Sequence, residues 1–251
     1  MTRSMSSSLG FVLILAFAAQ GERIEAFDRD PKWDGLNNRS EALGLREIVQ
    51  DFGWSGGEQV GARPGAICGS IMPAGLPAYY AKPLPASALD APLAASGVVR
   101  VEKGGGNTLL GFFNSESVNE WRTPNTIVFR INGRGDVFHV HLEFASAKWR
   151  ATAGVIGRYD AQADRMYPLE IPSGDAYAWS LAYDPAGNEG HGEVLAEFDG
   201  VRATCAIPAE LRSDGARLDR FGLLNVVKHA DGPGALWLAE LEVNGETVDL
   251  A

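Results

Sequence analysis

Between Thr126 and Phe144 the sequence TIVFRINGRGDVFHVHLEF carries two histidines, a glutamate and an arginine within reach of one surface. In an extended chain successive side chains alternate faces, so His139, His141 and Glu143 fall on one side with Val137, and Phe138, Val140, Leu142 and Phe144 on the other. A hairpin with Gly133 and Arg134 at its turn sets Ile127 against Val140, Phe129 against Phe138, Val128 against His139 and Arg130 against Val137. Arg130 then joins the histidine face. Any even-length loop keeps that parity, whereas a one-residue slip would turn Phe129 and Ile131 to the polar side. Imidazole exchanges a proton near neutral pH, a glutamate can orient it or act as the acid, and a guanidinium neutralises a carboxylate or developing anion. Two histidines on one strand face also suit a metal, but no further His or Cys follows at a ligand spacing, so no metal is assigned. The alternative is a solvated outer sheet face, which polar alternation produces unaided.

Two further clusters flank the hairpin. Glu120-Trp121-Arg122 precedes it and Lys148-Trp149-Arg150 follows it. An indole face stacks on the C–H face of a pyranose while a neighbouring guanidinium hydrogen-bonds hydroxyls or carboxylates, so Trp121, Arg122, Trp149 and Arg150 are expected as binding residues, with edge-sealing tryptophans and rim charges as the alternative. Glu120 could pair with Glu143 as a second carboxylate. Tyr79 and Tyr80 sit where one ring could reach the same groove, packing being the alternative. Asp184, Asn188 and Glu189 offer oxygen ligands in a glycine-rich turn; a structural calcium is possible there, although Asx residues favour turns in any case.

The elements that must position these residues are mostly strands. Extended runs are predicted at 97–102, 108–113, 126–132, 137–144, 151–159, 176–183, 192–199, 201–207, 221–227 and 235–244, separated by Gly, Pro, Asn and Asp. Many short strands imply an all-β antiparallel sandwich or barrel, and no fixed repeat points to a propeller. One short peripheral helix is predicted over Ser40 to Asp51, with Ser40 as cap and Leu43, Leu45, Ile48 and Val49 as its apolar stripe. Residues 53–75 are rich in glycine and read as loops with short strands between turns.

Two later segments resemble a family. Tyr177 to Pro185, the turn Gly187 to Gly192, and Glu193 to Gly200 resemble the strand, turn, strand and Asp-Gly corner of concanavalin A-like lectin and glucanase jelly rolls. Asp219 to Asn225 and Leu236 to Gly245 (LWLAELEVNG) resemble their last strands, with Glu240 in place of the usual aspartate. The resemblance covers about the last two thirds of the chain and implies a jelly-roll sandwich. It also implies a role for a tyrosine, Tyr79 or Tyr80, beside a histidine, the pair with which many jelly-roll polysaccharide lyases remove a proton next to a uronate carboxylate and protonate the leaving oxygen. The Glu-x-Asp-x-x-Glu run used by many glucanases of this fold is absent.

Composition narrows the context. Thr2-Arg3, a serine run, an apolar stretch from Leu9 to Ala19 and small residues before Gln20 have the order of a signal peptide over 1–19, so export to the periplasm or medium is expected. Residues 20–96 are expected to pack on a main sandwich of 97–251 as one domain. The net charge of -10 argues against nucleic acid, and no later run suits a membrane helix. Cys68 and Cys205 could pair across a long loop or remain separate thiols. There is no Gly-x-Ser-x-Gly elbow, P-loop or His-Glu-x-x-His helix. Resemblance and residues together imply an exported carbohydrate-active enzyme, hydrolase or lyase, with Arg130, His139, His141, Glu143 and Glu120 as its machinery. The alternative is a non-catalytic glycan-binding module on the same sandwich.

Overall fold

The computed structural model describes residues 29–42, 47–60, 63–118, 122–149, 151–228 and 232–245. Two eight-stranded antiparallel sheets face each other. The front sheet runs Asp34–Leu36, Tyr79–Ala88, Arg217–Asn225, Asn107–Phe113, Thr126–Arg134, Val137–Ala145 and Ala151–Val155, with Ile171–Pro172 also paired to Val137–Ala145. The back sheet runs Val201–Ala206, Glu193–Phe198, Ala176–Asp184, Leu93–Val101, Gly234–Val243, Arg63–Ile71, Ile48–Val60 and Arg39–Ala42. A separate two-stranded ribbon pairs Gly157–Asp160 with Arg165–Pro168. This is the all-β sandwich that strand count and resemblance implied.

The inner faces interlock through aromatic rings. Phe129 of the front sheet meets Trp179 and Phe198 of the back sheet edge-on at 6.1 Å, Phe138 meets Tyr177 at 5.8 Å and Phe198 at 5.9 Å, and Phe221 stacks on Trp179 at 6.2 Å. Each fully buried Phe contributes about 1.5–3 kcal/mol by leaving water, so the alternation of the hairpin is held by its phenylalanines. Phe138, Val140, Leu142 and Phe144 are all sealed in this core, as the period of two requires.

The hairpin register differs from the expected one. Arg130 pairs with His141, Asn132 with His139 and Val128 with Glu143, and the last pair is Arg134 with Val137. The turn is therefore Gly135-Asp136, two residues beyond Gly133-Arg134, and each cross-strand partner moves by four while parity is kept. Gly135 has φ +74°, the left-handed conformation that a tight hairpin turn needs. Gly133 serves a different purpose: its N–H bonds the Gly106 carbonyl at 3.0 Å, and a Cβ there would stand 2.9 Å from the Gly104 carbonyl.

The helix expected over Ser40 to Asp51 is replaced by strand. Arg39–Ala42 pairs with Ile48–Val60 from Arg39/Asp51 to Ala42/Ile48, and 43–46 lie outside the described residues. Pairing of Ile48–Val60 with Arg63–Ile71 outweighs a weak helical stripe, because burial in a sheet overrides intrinsic propensity. The short helix is instead Ala209–Asp214, anchored by buried Leu211. The glycine-rich stretch read as loops supplies these two long back-sheet strands. Neither Cys68 nor Cys205 is in a disulfide. Their strands are five apart in the back sheet, about 24 Å at the usual strand spacing, so no disulfide joins them. Burial pushes the Cys68 thiol up to about 11.

Gly111 has φ +150° and a Cβ there would lie 2.3 Å from the Ile127 carbonyl, whereas Gly57 has open space. Gly111→Ala is expected to destabilise the sandwich by about 1–3 kcal/mol in urea denaturation, and Gly57→Ala to change it by no more than about 0.5 kcal/mol.

Candidate functional site

The outer face of the front sheet carries the polar cluster at one end. Backbone pairing places His141 beside Arg130, Arg130 beside Leu109, Leu109 beside Leu224 and Leu224 beside Tyr79 in a single row across five strands. One level toward the hairpin turn lie His139, Asn132 and Asn107; one level away lie Glu143, Val128 and Gly111. Four residues singled out from sequence, Arg130, His139, His141 and Glu143, are thus brought together on two adjacent strands.

Their electrostatics are specific. Arg130 donates from Nε to Glu143 Oε1 and from Nη2 to Glu143 Oε2, both at 2.8 Å. This side-on fork is half-buried and charge-assisted, and it leaves the Nη1 edge of the guanidinium uncommitted by the pair. His139 and His141 approach edge to face with ring centroids 6.5 Å apart. Burial holds the His141 pKa below its ordinary value; the Glu143 carboxylate opposes this, and His139, Arg130 and Arg134 add to it. Burial also lowers His139, with Arg134 in the same direction and Glu170 opposing. His139 Nε2 is buried without a hydrogen-bond partner among the described residues. Both rings are therefore biased toward the neutral form, which can accept a proton.

The remaining expected residues are placed differently. Tyr80 points into the core, stacked on Trp33 at 5.7 Å. Tyr79 lies on the outer face but packs edge-on against Phe113 at 5.4 Å among Leu109, Val128 and Leu224. Four strand intervals separate it from His141, about 19 Å, so the structure does not form the tyrosine–histidine pair that the resemblance implied. Trp149 is 42% exposed, at the end of the hairpin away from its turn, with φ +60°. Lys148 beside it binds Asp214 at 2.6 Å and so ties this loop to the short helix. Arg122 is exposed at the same end. Glu120, Trp121 and Arg150 lie outside the described residues, as does the expected signal peptide over 1–19.

Sequence reasoning passed over Asn107, Asn132, Arg134 and Glu170 around the histidines. Asn132 shares Arg130's strand parity and was legible from it; Asn107 is brought in by sheet order alone. A second polar group occupies the far end of the same face: Arg220 binds Asp34 at 2.9 Å, and Asp219 accepts from the N–H and hydroxyl of Ser115 at 2.8 and 2.9 Å. Among the described residues no group of three or more His, Cys, Asp or Glu is placed to hold a metal ion. Asp184 accepts the Ala186 N–H at 2.8 Å and Asn188 donates to the Ile207 carbonyl at 2.8 Å, so the turn considered for calcium uses these side chains to close itself. No described helix is long and apolar enough to cross a membrane.

No protein-family model matches the sequence, and no curated protein matches it. Among solved structures the chain is similar to an alginate lyase from Alteromonas sp. 272, at 10% identity and a TM-score of 0.44 over 77% of this chain and 93% of that one. It is also similar to an alginate lyase from Pseudomonas aeruginosa, at 15% identity and a TM-score of 0.39 over 67% and 82%. The globular domain of T. cruzi calreticulin is similar at 11% identity and a TM-score of 0.44 over 80% and 82%.

Two outcomes follow from the site's geometry. Arg130→Ala strands a half-buried carboxylate and is expected to cost about 1–3 kcal/mol of stability, measured by chemical denaturation. The folded-state pKa values of His139 and His141 lie below the unfolded value of about 6.5, so the unfolded chain takes up protons first on acidification. The stability these neutral rings contribute is present above pH 6.5 and is lost as pH falls through the folded pKa values. Melting temperature is expected to fall between pH 7 and 5, and to fall less in the His139→Gln/His141→Gln variant.

Proposed function

We propose that the protein is an exported carbohydrate-active enzyme that cleaves glycosidic bonds in a uronate-containing polysaccharide by β-elimination. The observation that carries this reading is the pairing of His141 with Arg130 across the hairpin, with Asn132 on the same outer face and the guanidinium oriented by Glu143. A proton α to a carboxylate is acidic only when the carboxylate is neutralised, and a guanidinium edge with a neighbouring amide supplies that. His141 then accepts the C5 proton. The C–H electron pair becomes the C4–C5 double bond as the C4–O bond breaks, and the imidazolium so formed is the proton donor for the leaving oxygen. His139 sits one level along the strand as the second base candidate.

Hydrolysis by a Glu143/Glu120 pair has less support, because both Glu143 oxygens are already engaged by Arg130. The expected result with the purified protein is new reducing ends together with ultraviolet absorbance from unsaturated uronate products on acidic polysaccharides, and neither on neutral ones. Reducing ends without unsaturation would replace elimination by hydrolysis; binding with neither would leave a glycan-binding module. His141→Ala is expected to lower the elimination rate at least about 100-fold with unchanged folding. The acid limb of the wild-type rate profile should lie below pH 6.5, since the active neutral form persists to lower pH when the pKa is depressed.

A further inference from the structure

The polar face of the hairpin continues past the histidines to its turn. Arg130, Asn132 and Arg134 alternate outward on one strand, opposite His141, His139 and Val137 on the other, so all six stand on one face. Arg134 is the last residue of the ladder before the Gly135-Asp136 turn. That turn is pinned from outside: Gly135 and Gly104 exchange backbone hydrogen bonds at 2.8 and 3.0 Å, and Asp136 binds Lys103 at 2.9 Å. Arg134 is therefore held firmly at its backbone, while the residue itself is exposed.

The polar groups at this level are left without partners of their own. Neither Asn132 nor Arg134 makes a side-chain hydrogen bond or ion pair among the described residues, in contrast to Arg130, whose fork is taken by Glu143. The acid of the turn, Asp136, is claimed by Lys103. His139, across from Asn132, is only 8% exposed, yet its Nε2 is buried with no partner among the described residues. A buried polar atom in that condition calls for a water or a ligand group to complete it. The charged groups that act on His139 are Arg134 and Glu170. Glu170 faces outward beside it, because its neighbour Ile171 pairs with Phe138 and is buried in the core, and it forms no ion pair with Arg134.

We propose that Arg134, flanked by Asn132 and His139, is a second carboxylate site, which holds a further acidic sugar of the polymer while Arg130 and His141 engage the one that reacts. The inference rests on the proposed action on a uronate-containing polysaccharide. Arg130 and Arg134 are four residues apart on one strand, about 13 Å. No single sugar ring covers that span, so the two guanidinium groups meet different residues of one extended chain. A planar guanidinium takes a carboxylate through paired hydrogen bonds, and Asn132, between the two on the same strand face, offers an amide to hydroxyls. The site makes the enzyme selective for runs of acidic sugars over isolated ones.

The test compares wild type, Arg134→Ala and Arg134→Lys for retardation in native gels containing alginate, polygalacturonate or dextran. Unsaturated-product kinetics are measured on the two polyuronates and on the same polymers with most carboxyls reduced to alcohols. The wild type is expected to be retarded by at least one polyuronate and not by dextran. Arg134→Ala is expected to weaken retardation and to raise KM about tenfold, the loss of one charge-assisted pair, with an unchanged melting temperature. Arg134→Lys keeps the charge without the fork and retains part. The loss falls on KM rather than on kcat, and it shrinks on the reduced polymers. Arg134 also lowers the histidine pKa values, so its removal moves the acid limb to higher pH, and KM is read on the plateau above it. An acid limb that moves while plateau KM and retardation keep their wild-type values makes Arg134 a tuner of the histidines and overturns the site. An equal rise in KM on the reduced polymers, or no retardation of the wild type by either polyuronate, overturns it too. Retardation weakened in Arg134→Ala with no unsaturated product from the wild type keeps the site and removes elimination. Product formation with equal KM in wild type and Arg134→Ala does the reverse.

Discussion

The aromatic contact between the two sheets is the constraint on which the rest depends. Phe129 and Phe138 of the front sheet sit against Trp179, Tyr177 and Phe198 of the back sheet, and neither strand of the hairpin can shift by one residue without expelling them. Because the side-chain period of a strand is two, fixing the phenylalanines inward fixes Arg130, His139, His141 and Glu143 outward. The chemistry of the front face is thus positioned by residues on the opposite side of the same backbone, and a rigid sheet holds it more narrowly than a loop would.

Electrostatics on that face follow from partial burial. A lone glutamate beside two histidines would favour their protonation, and Glu143 does oppose the lowering at His141. Arg130 takes both of its oxygens, so the carboxylate is satisfied locally and desolvation prevails at the rings. The same pair orients the guanidinium, leaving one edge free. The pair thus fixes carboxylate and guanidinium against each other beside two rings whose burial disfavours the charged form.

The front face is also unequal from end to end. Next to Arg130 and Glu143 it becomes an apolar cluster of Val128, Leu109, Phe113, Leu224 and Tyr79, together with Val118 and Val226, and the Arg220–Asp34 pair closes the far end. That cluster separates Tyr79 from the histidines and leaves the hairpin end, with the ribbon at its edge, as the polar part of the surface.

By itself the sequence determined the strand-rich character, the inward and outward sets of the hairpin, and hence the company of Arg130 with His139, His141 and Glu143, because these depend only on alternation within short segments. It did not determine the turn, since Gly133 and Gly135 are both turn-like residues, and only the approach of Gly104 and Gly106 decides which one bends. Nor could it place the early segment: a four-residue apolar stripe near Ile48 suits a helix until a partner strand competes for its backbone hydrogen bonds. Which strands become neighbours is set by packing across the whole sandwich. That order, written in no local pattern, brought Asn107 to the histidines, buried Tyr80 in the core and carried Tyr79 four strands away.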